Sequence, residues 1–433
     1  MGPHESLLAR QRAALPSWLA TYYDAPIEIV RGEGRSVWDA EGRVYLDFFG
    51  GILTTLTGHA VPEVVEAIRA QAGRLLHTST LYLSRPMVEL AERIAALSGI
   101  PDAKVFFTTS GTEANEAALL LATTWRRSHQ VLALRNSYHG RSFAAMGVTG
   151  NRGWSASALS PLRTAFVHGG YRFRSPFRGL SDAAYAEACV EDLCDVLATS
   201  TSGDVACLIV EPIQGVGGFA VPPDGLFGAM KRVLDRHGIL FVADEVQTGW
   251  GRTGDHFWGH QAHGVTPDLL TFAKGLGNGL PIAGVVGRGE IMDCMAASSI
   301  STFGGGPLVC AGALANLGYL LAHDLQGNAR RVGAQLFARL REGAEKLALV
   351  GELRGRGLMI GLELVGSDGF APNPAAAARV LESCREGGVL VGRGGLYGNC
   401  LRIAPPLSVT SEEADRAAEI VVGALDCEAR ASV

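Results

Sequence analysis

Five short, almost wholly apolar segments lie in the middle of this chain, and longer segments with helical spacing separate them. The apolar segments are residues 105–107, 131–134, 207–210, 239–243 and 269–272. Helical patterns lie between them, for example at residues 113–127 and 226–237. A strand that is apolar along its whole length is buried on both faces, as in a parallel sheet covered by helices. The pattern therefore predicts an α/β fold with a mostly parallel central sheet.

The two ends of the chain have different patterns. Residues 27–30, 36–39 and 44–47 are short alternating segments separated by glycine-rich turns at 31–34 and 41–42, which predicts an antiparallel meander. From about Gly327 the pattern is a helix, strands within 352–363, a helix, a strand at 389–391 and a last helix from Thr410. We therefore expect three parts, listed in chain order: an N-terminal segment (1–55) that packs with the small domain, a large domain (56–325) that contains the central sheet, and a small α+β domain (326–433).

Composition narrows the classes of function. The chain has 433 residues, 47% of them hydrophobic, and a formal net charge of −5, which gives no electrostatic reason to expect nucleic acid or an anionic membrane as partner. Its eight cysteines form no Cys-x-x-Cys pair and no zinc-type spacing, so we expect reduced thiols and no metal. Residues 1–20 contain no apolar core of signal-peptide length. These features predict a soluble cytoplasmic protein.

A phosphate site is the first candidate. The apolar strand at 105–107 leads into a small polar turn and then a helix, and Ser110 followed by Glu113 fits a capping box. Gly111 allows an anion to approach the backbone, where free N–H groups and the helix dipole favour a phosphate. Many strand–turn–helix junctions have the same pattern and bind nothing, so this motif alone does not decide the function.

A pair of carboxylates is the second candidate. Asp244 and Glu245 follow an apolar strand directly, and ligands bind beyond the carboxyl ends of strands in open parallel sheets. A carboxylate that is desolvated there needs a cationic partner or a metal. The alternative is that the carboxylate only caps or pairs with a neighbouring helix, and for Glu245 we favour that interpretation.

A lysine at the end of a strand is the third candidate. The chain has only four lysines, and Lys274 ends the apolar strand at 269–272 before a loop with three glycines. Partial desolvation lowers the pKa of an amine and makes it a nucleophile toward an aldehyde. The alternative is a lysine that snorkels to the edge of the sheet. Together, a phosphate site, a strand-end carboxylate and a strand-end lysine match pyridoxal 5'-phosphate, which needs its phosphate held, its aldehyde bound and its ring nitrogen kept protonated.

From about Gly32 to Leu407 the chain resembles the class III (ornithine/ω-amino-acid type) aminotransferases of pyridoxal-phosphate fold type I. Among the subfamilies it is most similar to the mitochondrial-type alanine–glyoxylate transaminases. The motifs that carry the resemblance are Thr109-Ser110-Gly111-Thr112-Glu113-Ala114-Asn115-Glu116, Tyr138-His139-Gly140-Arg141, Glu211-Pro212-Ile213-Gln214-Gly215, Ala243-Asp244-Glu245-Val246-Gln247-Thr248-Gly249, Phe272-Ala273-Lys274-Gly275, Ser301-Thr302-Phe303-Gly304-Gly305, Arg354-Gly355-Arg356-Gly357-Leu358 and Leu401-Arg402-Ile403-Ala404-Pro405-Pro406.

The resemblance implies roles around the cofactor. Lys274 would bind it as a Schiff base and move the proton, and Asp244 would pair with the pyridinium nitrogen. The other implied contacts are Ser110, Gly111 and Thr112 with the phosphate, Thr302 with the phosphate from the other subunit of a homodimer, Gln247 with the ring oxygen, Tyr138 stacked on the ring, His139 beside it, and Glu211 nearby. The alternatives are a core aromatic for Tyr138, a satisfied buried histidine for His139 and a turn hydroxyl for Thr302.

The resemblance also implies the substrate contacts. Arg402 would bind the substrate α-carboxylate, Arg141 matches a position that grips a second carboxylate in some members, and Tyr82 is predicted to join them. Two positions depart from the family pattern. Val216 replaces a glutamate that pairs with the carboxylate-binding arginine in many members, so Arg402 would stay open to carboxylates. Gly306 replaces a usual asparagine, with an expected change in loop flexibility.

The predicted function is transfer of an amino group from a primary or ω-amine, or an amino acid, to a 2-oxo acid. The acceptor stays open among pyruvate, glyoxylate and 2-oxoglutarate. An aminomutase, phospho-lyase or decarboxylase of the same fold is the alternative, and a non-catalytic cofactor-binding protein is a further one. A nicotinamide dehydrogenase is disfavoured because no Gly-x-Gly-x-x-Gly follows the early strands.

Overall fold

The computed structural model describes residues 3–19 and 21–431, so the outermost residues of the predicted N- and C-terminal parts lie outside the described residues. The helices are α1 (Pro3–Ala14), α2 (Gly50–Leu53), α3 (Pro62–Ala72), α4 (Arg85–Ser98), α5 (Gly111–Arg126), α6 (Phe143–Gly147), α7 (Asp182–Thr199), α8 (Leu226–Arg236), α9 (Gly289–Met292), α10 (Pro307–Ala322), α11 (Leu325–Ala344), α12 (Pro374–Glu386) and α13 (Ser411–Ala431). The strands are β1 (Ile29–Glu33), β2 (Ser36–Asp39), β3 (Val44–Asp47), β4 (Ala103–Thr108), β5 (Gln130–Leu134), β6 (Arg163–Val167), β7 (Cys207–Val210), β8 (Leu240–Asp244), β9 (Leu269–Phe272), β10 (Ala283–Arg288), β11 (Val350–Arg356), β12 (Met359–Leu364), β13 (Val389–Leu390), β14 (Gly392–Gly394) and β15 (Cys400–Ile403). Short 3-10 helices span Arg152–Trp154, Gly259–His263 and Lys274–Leu276.

The central sheet has the strand order β4-β10-β9-β8-β7-β5-β6. The pairs β5–β6, β5–β7, β7–β8 and β8–β9 are parallel, whereas β10 is antiparallel to both β9 and β4. The mostly parallel sheet predicted from the sequence is therefore confirmed. Because β4, β7, β8 and β9 run in the same direction, their carboxyl ends lie along one edge of the sheet.

Alternate residues of one strand contact different helical layers. Leu132 and Leu134 of β5 pack in a cluster with α7 and α8, whereas Val131 and Ala133 pack in a cluster with α5. All four side chains are completely buried. Burial on both faces explains why these strands are apolar along their whole length.

The N-terminal sheet has the order β1-β2-β3-β13. The predicted turn at 31–34 was wrong for its first three residues, because β1 continues to Glu33. Gly32 pairs with Val37, and a Cβ on Gly32 would lie 2.7 Å from the ring of His59, so this glycine allows a close approach inside a strand. The fourth strand, β13, pairs parallel to β3 and joins this sheet to the C-terminal part of the chain.

A third sheet, β11-β12-β15-β14, lies in the C-terminal part and packs with α11, α12 and α13. Within the described ranges, no single helix is long and apolar enough to cross a membrane. The pair α10 and α11 passes that test jointly, but its two helices are bent by 61°. Residues of both helices belong to the buried core.

Candidate active site

A cavity of about 160 Å³ lies at the carboxyl edge of the central sheet. The residues that line it are Gly111, Thr112, Asn115, Tyr138, His139, Gly140, Arg141, Glu211, Asp244, Val246, Gln247 and Lys274. These residues come from the ends of β4, β5, β7, β8 and β9 or from the segments that follow them. The structure therefore brings most of the predicted site residues together.

The N-terminus of α5 forms one wall of the cavity. Ser110 caps the helix, with its Oγ accepting from the Glu113 backbone N–H at 3.3 Å, while Glu113 Oε2 accepts from the Thr109 N–H at 2.7 Å. The Ser110 cap and the predicted helix start are thus confirmed. The reciprocal half of the capping box is wrong, because the Glu113 carboxylate binds the backbone of Thr109, the residue before the cap, and not that of Ser110. The first-turn N–H groups at Gly111 and Thr112 have no helical partner by geometry and can bind an anion.

Asp244 ends β8 and is only 4% exposed. Its Oδ2 accepts from Asn115 Nδ2 at 2.7 Å and lies 2.8 Å from His139 Nδ1, and its Oδ1 accepts from the Val246 N–H at 3.1 Å. No lysine or arginine pairs with this carboxylate among the residues described. A buried, oriented carboxylate of this kind suits a cationic ring nitrogen.

Asn115 is a site residue that sequence reasoning missed. Its Nδ2 also donates to the His139 carbonyl at 2.8 Å, and its Oδ1 accepts from Thr271 Oγ1 at 2.7 Å. Asn115 therefore links α5 to β8, to β9 and to the segment after β5. The signal in the sequence was a single amide on the apolar face of α5, next to Ala114 and one turn before Ala118.

Lys274 follows β9 and lines the cavity. Burial lowers the pKa of its amine below the ordinary value of 10.5, the charge of Arg402 lowers it further, and the carboxylates of Asp244 and Glu211 act in the opposite direction. A lowered pKa increases the neutral fraction of the amine, which is the nucleophilic form. The position in the cavity favours the predicted role over a lysine that snorkels to solvent.

Glu211, just after β7, connects two loops of the site. Its Oε1 accepts from the Tyr138 N–H and its Oε2 from the Gly215 N–H, both at 2.8 Å. The pKa of this carboxyl is raised to about 7, chiefly by burial, with His139 acting to lower it and the Asp244 carboxylate acting to raise it. Gln247 packs directly on Gly215, where a Cβ would lie 2.2 Å from its amide carbon. The Gln247 Oε1 atom is buried and has no hydrogen-bond partner among the described residues, so the amide is available to a ligand.

Two more lining residues define the open side of the cavity. The ring of Tyr138 is half-buried and meets Trp154 edge-on at a centroid distance of 5.4 Å, so Tyr138 is not a core aromatic. Arg141 is exposed. Burial raises the pKa of the Tyr138 hydroxyl, and the charge of Arg141 acts in the opposite direction without cancelling that rise.

Four predicted residues do not line the cavity. The Ser110 hydroxyl caps α5, and Tyr82 and Thr302 lie exposed in loops. Arg402, on β15, is 3% exposed, and its Nη1 and Nη2 donate to the carbonyls of Gly215 and Arg393 at 3.3 and 3.0 Å. It lies over the ring of Phe49 at 4.9 Å.

Glu245 has the structural role that we favoured for it. Its carboxylate is completely buried and accepts from the backbone N–H groups of Gly259 and His260 at 2.8 and 2.7 Å. It also accepts from the hydroxyl of Thr248. Glu245 thus caps the 3-10 helix Gly259–His263 and points away from the cavity lined by Asp244.

A family model described as "Aminotransferase class-III" matches residues 19–425. The chain belongs to the class-III aminotransferases. This aminotransferase is 40% identical over 414 residues to "Alanine--glyoxylate aminotransferase 2 homolog 2, mitochondrial" of Arabidopsis thaliana, covering 94% of this chain and 85% of the relative. It is 36% identical to "5-aminovalerate aminotransferase DavT" of Pseudomonas aeruginosa, over 98% of each chain.

A solved structure similar to this aminotransferase is an amine transaminase from an uncultivated Pseudomonas species in its PLP-bound (internal aldimine) form. The TM-score is 0.88 and the identity 33%, over 97% of this chain and 98% of that one. The cofactor of the family is pyridoxal 5'-phosphate, and the residues of this chain fit it. Lys274, with its lowered pKa, suits the aldehyde of the cofactor, and the N-terminus of α5 suits its phosphate. The buried Asp244 carboxylate, which has no lysine or arginine partner among the described residues, suits its ring nitrogen.

Proposed function

We propose that this aminotransferase binds its cofactor through Lys274, Asp244 and the N-terminus of α5, and that both of its substrates are carboxylic acids. When bound, pyridoxal phosphate supplies the electron sink on which an amino group is stored between two half-reactions. Asp244 keeps the ring nitrogen protonated, and Asn115 and His139 fix the orientation of that carboxylate. Lys274 would hold the aldehyde of the cofactor, and its amine would carry a proton to and from the substrate carbon.

The proposal that both substrates are carboxylic acids rests on Arg402. Its guanidinium is buried, and it donates only to carbonyl oxygens, with no carboxylate partner among the described residues. A buried cation without a counter-ion favours an incoming anion, and a planar guanidinium suits a carboxylate. Val216, itself buried beside this arginine, supplies no competing negative charge.

Alanine and ω-amino acids are the proposed donors, and glyoxylate or pyruvate is the proposed acceptor. The names of the two relatives support this choice, since one is an alanine–glyoxylate aminotransferase and the other acts on 5-aminovalerate. Each of these compounds has a carboxylate for Arg402.

The experiment compares alanine with ethylamine, which is the same donor without its carboxylate. In Arg402→Gln, kcat/KM for alanine should fall about 100-fold, because a charge-assisted pair of hydrogen bonds contributes about 1.5–3 kcal/mol. The value for ethylamine should change less than about threefold. Equal losses for the two donors would contradict the proposed carboxylate contact, and Lys231→Gln is the matched control for loss of a positive charge far from the cavity.

A homodimer is also proposed. Three apolar side chains are mostly exposed: Leu81 at 73%, Leu83 at 99% and Phe303 at 65%. The ring of His77 lies 5.2 Å from that of Phe303, so the segment of residues 77–83 and the loop around Phe303 form one apolar surface. Thr302 lies on this surface, which supports its predicted contact with the partner's phosphate site. We expect light scattering to give a dimer for the wild type and for Val30→Glu, and a monomer for Leu83→Glu. A Leu83→Glu variant that stays dimeric would contradict this interface.

A cytoplasmic location completes the proposal. All eight cysteines are free thiols, and five of them are buried. Unpaired thiols are typical of proteins in a reducing compartment. Fractionation of the native host with an antibody to the protein tests the location, and recovery in a membrane or organelle fraction would contradict it.

A further inference from the structure

The backbone of Lys274 has a conformation that needs support. Its φ is +40°, in the left-handed region that residues with a Cβ rarely adopt. Such a conformation persists only where the surrounding structure holds it, and it occurs mostly at functional sites. The contacts that hold the two residues after Lys274 therefore decide where its amine points.

Asn316 makes those contacts from α10. Its Nδ2 donates to the carbonyls of Gly275 and Leu276, the next two residues after Lys274, at 2.8 and 2.9 Å. The side chain is completely enclosed, with 1% of the residue exposed. Both carbonyls belong to the short 3-10 turn that Lys274 begins, so Asn316 fixes the turn from outside the cavity.

Thr57 fixes Asn316 in turn. Its Oγ1 donates to Asn316 Oδ1 at 2.6 Å, and the residue is 1% exposed. The Thr57 backbone N–H donates to Asn278 Oδ1 at 3.1 Å, and Asn278 Nδ2 donates to the Gly58 carbonyl at 2.9 Å. The loop that follows Lys274 is thus attached twice to residues 57–58.

We propose that Asn316 and Thr57 are positioning residues for Lys274, which hold the turn of residues 274–276 in the geometry that points the amine at the cofactor. Neither residue lines the cavity, so both act through the backbone of the turn. The inference rests on the proposed role of Lys274 as the cofactor lysine.

The experiment measures how fast the apoprotein takes up pyridoxal phosphate, from the growth of the visible absorbance band after rapid mixing. Asn316→Leu keeps the size of the side chain and removes all three hydrogen bonds, and Thr57→Val removes only the hydroxyl. We expect uptake about 10- to 100-fold slower in Asn316→Leu and about 3- to 10-fold slower in Thr57→Val, because misplacement of a reacting group by about 1 Å can cost about 100-fold. In the loaded enzyme, kcat should fall with little change in KM.

Two variants separate positioning from general stability. Thr57→Ser retains the hydroxyl and should take up the cofactor at the wild-type rate. Gln130→Leu removes a similar pair of bonds at the start of β5, at the opposite edge of the sheet from the Lys274 turn, where Oε1 accepts from the backbone N–H and the hydroxyl of Ser202. It should lower the melting temperature without slowing uptake.

The outcomes are distinct. Wild-type uptake in both Asn316→Leu and Thr57→Val would overturn the inference, as would equal slowing by Gln130→Leu. If Asn316→Leu does not fold, the difference between Thr57→Val and Thr57→Ser decides alone. If the wild type itself forms no visible band, the proposed function fails, and this is a different result from a band that forms equally fast in every variant.

Discussion

Replacement of Asn115 by leucine tests the network that orients Asp244. The leucine has nearly the same volume and keeps the packing of α5, but it removes every hydrogen bond of the amide. Asp244 loses one donor, the His139 carbonyl loses its donor, and the Thr271 hydroxyl loses its acceptor. All of these groups are buried, so water cannot replace the lost partners.

The expected cost follows from the kind of each bond. The bond to the Asp244 carboxylate is charge-assisted and contributes about 1.5–3 kcal/mol, and each of the two neutral bonds contributes about 1 kcal/mol. Asn115→Leu should therefore lower the free energy of unfolding by about 4 kcal/mol. Thr271→Val removes only one neutral bond and should lower it by about 1 kcal/mol.

Equilibrium urea unfolding of the apoproteins gives both values, provided that the dependence on urea has the same slope in each variant. The cofactor should also dissociate faster from Asn115→Leu than from Thr271→Val, since of these two side chains only that of Asn115 donates a hydrogen bond to the Asp244 carboxylate. Equal destabilisation by the two substitutions, or unchanged cofactor dissociation in Asn115→Leu, would refute the reasoning.

Three further predictions concern a pH dependence, a specificity and a helix end. Between pH 4.5 and about 7 the folded apoprotein holds a proton on Glu211 that the unfolded chain has lost, so the stability of the fold should fall as the pH rises through this window. Melting temperatures of Glu211→Gln should not show this dependence on pH. Arg141→Ala should raise KM for 2-oxoglutarate about fivefold in steady-state assays and leave KM for pyruvate unchanged. The reason is that only 2-oxoglutarate has a second carboxylate that the exposed arginine can bind. Arg127 follows the last residue of α5 and has a φ of +51°. Arg127→Gly should therefore raise the free energy of unfolding by about 0.5 kcal/mol, because the relief of left-handed strain exceeds the entropic cost of a glycine by about that amount. Arg127→Ala keeps a Cβ and should give no such increase when the variants are compared by urea unfolding.

The sequence was sufficient for the central sheet and the centre of the site. The side chains of β5, β7, β8 and β9 are mostly apolar on both faces of the sheet, so these strands can be recognised from the sequence without knowledge of their neighbours. Asp244 is the last residue of β8 and Lys274 is the second residue after β9, so their proximity follows from the parallel arrangement of these two strands. A carboxylate and an amine at neighbouring strand ends, beside a helix N-terminus, are together sufficient to indicate the cofactor.

The rest of the site depends on contacts between distant parts of the chain. Thr57 and Asn316 are separated by 259 residues, and no local spacing relates them. The glycine pattern predicts a turn at Gly32, but this glycine instead allows a close approach to His59, which is 27 residues away and comes near only after folding. Tyr82 and Thr302 lie outside the cavity of a single chain, so their predicted roles depend on the proposed dimer.

The measurement that tests the central claim most directly is the absorbance spectrum of the purified protein loaded with pyridoxal phosphate, beside that of Lys274→Ala. The wild type should have a visible band that alanine bleaches and glyoxylate or pyruvate restores, and Lys274→Ala should have no such band. A wild type without the band, or a band that is unchanged in Lys274→Ala, would contradict the assignment of Lys274 as the cofactor lysine.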